Sequence, residues 1–115
     1  MARRGSERAV SDADDTPMVR DDRAGQRFVL ESDGAVGELT YEVDGGNLFL
    51  VHTEVADALR GQGAGGRLVQ AAVRRAADER LTVVPWCPYA RRWLREHADV
   101  AGTVTIDWHT RRPSI

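Results

Sequence analysis

Between Leu59 and Arg67 the chain reads LRGQGAGGR, four glycines in nine residues. Glycine enters backbone conformations closed to other residues and lets backbone approach a neighbour closely, so such a run marks a tight turn. Before it stands the strand-like LFLVHTEV. After it comes RLVQAAVRRAADER, where Leu68, Val69, Ala72, Val73, Ala76 and Ala77 recur in steps of one, three and four. That spacing makes a helical stripe, with Arg67, Gln70, Arg74, Arg75, Asp78 and Glu79 on the wet face. Any fold for this chain must therefore contain a strand, a glycine turn and a helix in immediate succession.

The remaining elements follow from the same kind of reading. A length of 115 residues suits one domain. Residues 1–20 alternate charged and small polar groups and read as a disordered leader; the folded domain is expected over 21–110, with 111–115 as a tail. RFVLES reads as a strand, SDG as a turn, AVGELTYEV as an alternating strand and DGGN, at 44–47, as a hairpin turn. LTVVPWC predicts a buried strand ended by Pro85, YARRWLREH a short helix, and GTVTIDWHT a final strand. Trp86 and Trp93 are expected in the core, and Arg91, Arg92 and Arg95 on a solvated face. The order β-β-β-α-β-α-β defines an α+β fold with a mixed sheet built on an antiparallel meander.

Composition removes several function classes. Sixteen basic against eighteen acidic residues give a net charge of −2, which disfavours a nucleic-acid partner. All sixteen basic residues are arginine, so no side-chain amine is available for acetylation or a Schiff base. Cys87 is the single cysteine, which excludes an internal disulfide and a cysteine-rich zinc site. His52, His97 and His109 have no metal-ligand spacing, and no metal is expected. No apolar run approaches the ~18 residues of a membrane helix, and no hydrophobic segment follows the basic N-terminus. A cytoplasmic protein with no membrane partner is the expectation.

Three phosphate-binding patterns compete for the glycines. The nucleotide loop GxxxxGK[ST] needs a lysine the chain lacks. GxGxxG matches Gly61, Gly63 and Gly66, but the next strand ends Val84-Pro85-Trp86, without the acid that would hold a ribose. The third pattern, [QR]-x-x-G-x-[GA], is supplied by Arg60, Gly63 and Gly65. Such a turn opens a helix and aims successive N–H groups at one spot, where the helix dipole adds positive charge. That arrangement binds a pyrophosphate without lysine or metal. A plain glycine-rich turn between strand and helix remains the alternative.

Taken together, these motifs resemble the GNAT superfamily of acetyl-CoA-dependent N-acetyltransferases. VADALRGQGAG is similar to its V-x-x-x-x-R-G-x-G-x-G signature. HTEV, the glycine run and CPYARRWLREH are similar, more narrowly, to a small GNAT-like subfamily with an HTEV strand and a C-x-Y after the next strand. The resemblance spans roughly residues 26–100. It implies that the amides of Arg60, Gly61, Gln62, Gly63, Ala64 and Gly65 hold the pyrophosphate of coenzyme A. It also implies that the strand ending at Val55 pairs with the pantetheine arm, and that Arg67 lies on the 3′-phosphate side. Acetyl-CoA and an amine acceptor are the implied partners.

The chain departs from that family in two ways. Two helices usually lie between the first and second strands; here only SDG separates the first two strands read from sequence, so a reduced fold lacking both helices is expected. That leaves the cleft open and a strand edge exposed, which is compatible with a homodimer. In the usual N-x-x-A-x-x-x-Y, Cys87 stands in place of asparagine and Leu94 in place of the tyrosine proton donor. Candidate chemistry then falls on four residues. Cys87, before a helix N-terminus, could carry the acetyl group as a thioester or act as an acid. His52 and Glu54, two apart on one strand, could take a proton from the acceptor. Tyr89 could replace the missing acid. Each also has a purely structural reading, as packing or hydrogen-bonding groups. The alternative function is a non-enzymatic acetyl-CoA-binding or protein-interaction module.

Overall fold

The structure, a computed structural model, describes residues 18–113. Most of the expected leader (1–17) and the end of the tail (114–115) lie outside the described residues. Five strands form one sheet in the order β1-β2-β3-β4-β5: β1 (Val19–Asp22), β2 (Arg27–Ser32), β3 (Ala35–Asp44), β4 (Asn47–Val55) and β5 (Thr82–Pro85). The first four run antiparallel to their neighbours, and β5 runs parallel to β4. Helix α1 (Ala64–Glu79) makes the crossover from β4 to β5; α2 (Pro88–Glu96) and the short α3 (Ala98–Ala101) follow. This is the expected α+β class with its antiparallel meander and mixed sheet.

The turns follow local chemistry. Asp33 and Gly34 have φ of 50° and 82°, and Gly45 and Gly46 57° and 81°. Two successive positive φ values match the twist of the flanking strands and make tight two-residue hairpins. The core lies on one face of the sheet. Phe28, Leu30, Leu39, Tyr41, Leu48 and Leu50 pack there against Leu68, Val69, Ala72, Val73 and Ala76 of α1 and Ala90, Trp93 and Leu94 of α2. Two residues of the expected α1 pattern change places. Ala77 is exposed, whereas the Arg75 side chain is largely buried, its guanidinium 5.0 Å from the Tyr41 ring centre.

Both ends of the sheet differ from the sequence reading. Strand β1 is unforeseen and crosses the expected boundary at residue 20. It pairs Val19–Asp22 with Leu30–Arg27, but its sequence, VRDD, has no apolar alternation. Side-chain bonds hold it instead: Asp21 accepts from the Tyr41 hydroxyl and, at 3.2 Å, from Arg75. With β1 counted, the connection between the first and second strands is Arg23–Gln26, not Ser32–Gly34. Both connections are tight, so neither helix occurs at these positions among the described residues. At the other edge, the expected strand over 102–110 shrinks to one parallel bridge, Val83 to Ile106. Asp107 bends the chain away: its carboxylate accepts from the backbone N–H of His109 and Thr110 at 2.9 and 3.0 Å.

Candidate acyl-transfer cleft

The cleft is produced by one extra residue in β4. Thr40 pairs with His52, but Tyr41 pairs with Leu50, so Val51 bulges out of the ladder. Pairing between β4 and β5 stops at Leu50 and Pro85, where the bulge begins. A bulge bends its strand and re-aims the side chains beyond it. Thr53 and Val55 therefore share the inner face with Leu48 and Leu50, while His52 and Glu54 point out on the opposite face and are exposed. Ala56 donates to the Val36 carbonyl. By the alternation of an antiparallel ladder, the N–H and C=O of Val55 and Thr53 then point away from β3, toward the open side.

A cavity of about 320 Å³ occupies this gap. Thr53 and Val55 form one wall; Leu59, Arg60, Gly61, Gly63, Ala64 and Gly65 form another, and Tyr89 closes it. Gly63, at φ 77°, is the N-cap of α1 and offers no side-chain cap, and the first turn holds no acidic residue. The first free N–H groups of a 16-residue helix thus face the cavity with the positive end of its dipole. Arg60 extends into solvent, with its Nε 3.2 Å from Asp57.

The four glycines divide their work. Gly61 and Gly63 take positive φ, 82° and 77°, and make the turn. Gly65 and Gly66 sit inside the helix for a different reason. A Cβ at Gly65 would lie 2.6 Å from the Tyr89 hydroxyl, and one at Gly66 2.6 Å from Trp93 Nε1. Their bare backbone lets α2 lay two aromatic rings on the start of α1. Burial pushes the Tyr89 pKa up, with Arg92 opposing the shift. The phenol therefore stays protonated at the cavity wall.

Cys87 is the N-cap of α2 and only 2% exposed. Its N–H donates to the Leu50 carbonyl at 2.8 Å, which fastens it beside the bulge. Its sulfur lies 3.1 Å from the Thr53 hydroxyl, and Thr53 in turn lines the cavity. Pro88 at the first helical position suits a helix start. Gln62 and Arg67 line a neighbouring cavity of about 380 Å³ with Gln70, Tyr89, Trp93 and His97; the Gln62 amide also bonds the Ala58 carbonyl at 3.0 Å. Leu94 is fully buried in the core.

The structure thus gathers Val55, Arg60, Gly61, Gly63, Ala64, Gly65 and Tyr89 around one cavity and sets Cys87 directly behind Thr53. It does not bring His52 or Glu54 there, because the bulge turns them to the other face. Thr53 and Leu59 are the lining residues that sequence reading passed over. Thr53 was accessible from Val55, since residues two apart on a strand share a face. No cluster of three or more potential metal ligands occurs among the described residues, and no helix there is long and apolar enough to cross a membrane.

A strand bulge, a splayed parallel pair and an uncapped helix behind a glycine turn make up the reduced α+β fold that the resemblance to the GNAT superfamily implies. The comparisons with known proteins agree. The family model for GCN5-related N-acetyl-transferases matches residues 27–103. The solution structure of a GCN5-like candidate N-acetyltransferase from Staphylococcus aureus superposes with a TM-score of 0.61 at 28% identity, covering 79% of this chain and 90% of that one. No curated protein matches significantly. The chain belongs to the GCN5-related N-acetyltransferase family, as a small, reduced member.

Proposed function

We propose that the protein binds acetyl-CoA in the cleft beyond the bulge and transfers the acetyl group to an amine, with Cys87 as the intermediate carrier. The observation that carries this reading is the meeting of two features at one cavity. The free N–H groups of α1 suit a pyrophosphate, and the unpaired edge of Thr53 and Val55 suits an amide-bearing arm. Arg60 and Arg67 add positive charge along the path of the nucleotide.

The chemistry balances through the chain's own groups. The Cys87 sulfur gives up its proton and attacks the thioester carbonyl. The bond to the coenzyme A sulfur breaks, and that sulfur leaves with the electron pair and takes up one proton. Thr53, against the Cys87 sulfur, and Tyr89, kept protonated in the cavity wall, are the nearest proton carriers. The amine then attacks the acetyl group on Cys87, and its surplus proton returns to the departing cysteine sulfur. An acetyl group found on the protein cannot sit on a lysine, since the chain has none.

Intact-protein mass spectrometry after incubation with acetyl-CoA, beside calorimetric titration, tests the reading. Binding together with one acetyl group mapped to Cys87 is the expected result. Absence of binding would remove the pyrophosphate assignment altogether. The second reading, a non-catalytic acetyl-CoA-binding module, is favoured by Leu94, a core residue where the family pattern usually carries tyrosine, and by the deep burial of Cys87. Tight binding with no adduct and no turnover on any amine would select it.

A further inference from the structure

Coenzyme A is a linear molecule: a pantetheine arm that bears the acyl group, a pyrophosphate, and an adenosine phosphorylated at its 3′ position. With the arm along Thr53 and Val55 and the pyrophosphate at the start of α1, the nucleotide has to leave the first cavity past Gly63. The neighbouring cavity of about 380 Å³ opens there and shares Gly63 and Tyr89 with the first. It is a groove between two helices. Gly63, Gly66, Arg67 and Gln70 supply one wall, at the i, i+3, i+4, i+7 spacing of a single stripe on α1. Tyr89, Trp93 and His97 supply the other, at steps of four along α2 and its C-cap. From the N-cap to Gln70 the groove runs about 10 Å, at about 1.5 Å of rise per residue.

Both walls carry groups that the acetyl-transfer chemistry leaves unused. Gly66 has no side chain, so Trp93 settles against the start of α1 and is only 8% exposed. The half-buried His97 ring lies flat on the indole, with centroids 3.8 Å apart and planes 11° from parallel. A second contact fixes it, since its Nδ1 lies 2.8 Å from the Trp93 carbonyl. A carbonyl only accepts, so Nδ1 is the donor there and Nε2 is left for another partner. On the α1 side, Arg67 forms no ion pair among the described residues. No carboxylate lines the groove to compete for it.

We propose that His97 and Arg67 make the protein specific for acyl groups carried on whole coenzyme A, against those carried on phosphopantetheine alone, as on a carrier protein. The base lies on His97 as the third layer of the stack that Trp93 begins, and the 3′-phosphate lies on Arg67. The proposal rests on the acetyl-transfer reading above. A purine offers a flat face that stacks on an aromatic ring without needing a particular hydrogen bond. An imidazole already locked by two contacts loses little freedom when it is covered. A guanidinium free of carboxylates suits a phosphate through paired, charge-assisted hydrogen bonds. Phosphopantetheine ends at the start of α1 and reaches neither group.

Calorimetric titration of the full chain with three ligands takes the cofactor apart: coenzyme A, dephospho-coenzyme A, which lacks the 3′-phosphate, and 4′-phosphopantetheine, which lacks the nucleotide. Dephospho-coenzyme A should bind about tenfold more weakly than coenzyme A, the size of one good charge-assisted contact. Phosphopantetheine should bind about 100-fold more weakly, since it loses the stacked base as well. Arg67→Gln should abolish the difference between coenzyme A and dephospho-coenzyme A. His97→Ala should weaken both nucleotide-bearing ligands about tenfold and leave phosphopantetheine unchanged, and His97→Phe, which keeps an aromatic face, should restore most of the loss. A histidine that only ends α2 would shift all three ligands together. Phosphopantetheine binding as tightly as coenzyme A would overturn the proposal. So would an Arg67→Gln protein that still prefers coenzyme A to dephospho-coenzyme A, or His97 variants that weaken all three ligands alike. In each of these outcomes coenzyme A still binds the native chain, so the acetyl-transfer reading survives. Failure of coenzyme A to bind the native chain would strike that reading and this proposal with it.

Discussion

At the scale of single residues, the decisive pair is Cys87 and Thr53. Replacing Cys87 by alanine removes the proposed carrier but little volume. Coenzyme A affinity should stay within about twofold, while the acetyl adduct and turnover disappear, since other residues line the cavity proposed to hold the cofactor. Thr53→Val keeps the shape and deletes the hydroxyl beside the sulfur. If that hydroxyl moves a proton, turnover should fall by about 10²-fold with affinity unchanged; Thr53→Ser should restore most of it, which a packing role alone would not require. His52→Ala and Glu54→Ala should leave coenzyme A binding unaffected, because both side chains sit on the opposite face of the sheet.

At the scale of elements, the start of α1 reverses an ordinary rule. Glycine to alanine inside a helix usually stabilises by about 1 kcal/mol. Gly65→Ala and Gly66→Ala should do the opposite and destabilise by about 1–3 kcal/mol, because the new Cβ would lie 2.6 Å from the Tyr89 hydroxyl in one and 2.6 Å from Trp93 Nε1 in the other. Gly61→Ala meets no neighbour, yet its φ of 82° makes it costly by about 1–2 kcal/mol. Denaturant titration of the three variants separates crowding from backbone strain. The same segment shows what sequence makes legible. The strand, glycine turn and helix were readable because apolar spacing and glycine placement act locally. Strand β1 was hidden because Asp21, Tyr41 and Arg75, distant in sequence, hold it. The orientation of β4 was hidden because a bulge leaves no residue signature: Val51 looks like any strand valine. The final strand failed for a related reason, since Asp107 looks like an ordinary strand polar residue until it caps a turn.

At the scale of the whole molecule, stability should respond to pH at both ends. Burial, with the Asp21 hydrogen bond, pushes the Tyr41 pKa up to about 12. The neutral phenol is therefore favoured in the folded state. Its contribution is complete below pH 10 and is lost as pH rises toward 12. That window is unusually clean, because the chain contains no lysine and only two tyrosines. Thermal unfolding followed from pH 9 to 12, an interval set by the tyrosine range, should show a decline that Tyr41→Phe flattens. In acid the sign is opposite. Hydrogen bonds from Gly25 and Arg27 hold Asp22 below the usual carboxylate range; Arg23 does the same for Glu79, and Thr110 for Asp107. Their contributions are present above the ordinary carboxylate pKa and fade as pH falls through the lowered values. All three groups are solvent-accessible, so this loss should be shallow and salt-sensitive.

The bulge at Val51 has one more consequence. Nine residues of β4, Asn47–Val55, lie opposite eight of β3, Gly37–Asp44. The cleft is thus written into the chain as a count rather than as a chemical identity. Deleting Val51 would equalise the two lengths without turning Thr53 or Val55 to the other face. The strand could straighten and β5 could zip further along it. Such a protein should melt at a higher temperature and bind no coenzyme A, although every side chain named in the site would still be present. Within this architecture an insertion or deletion of one residue, more than any substitution, separates a binding protein from a well-packed inert one.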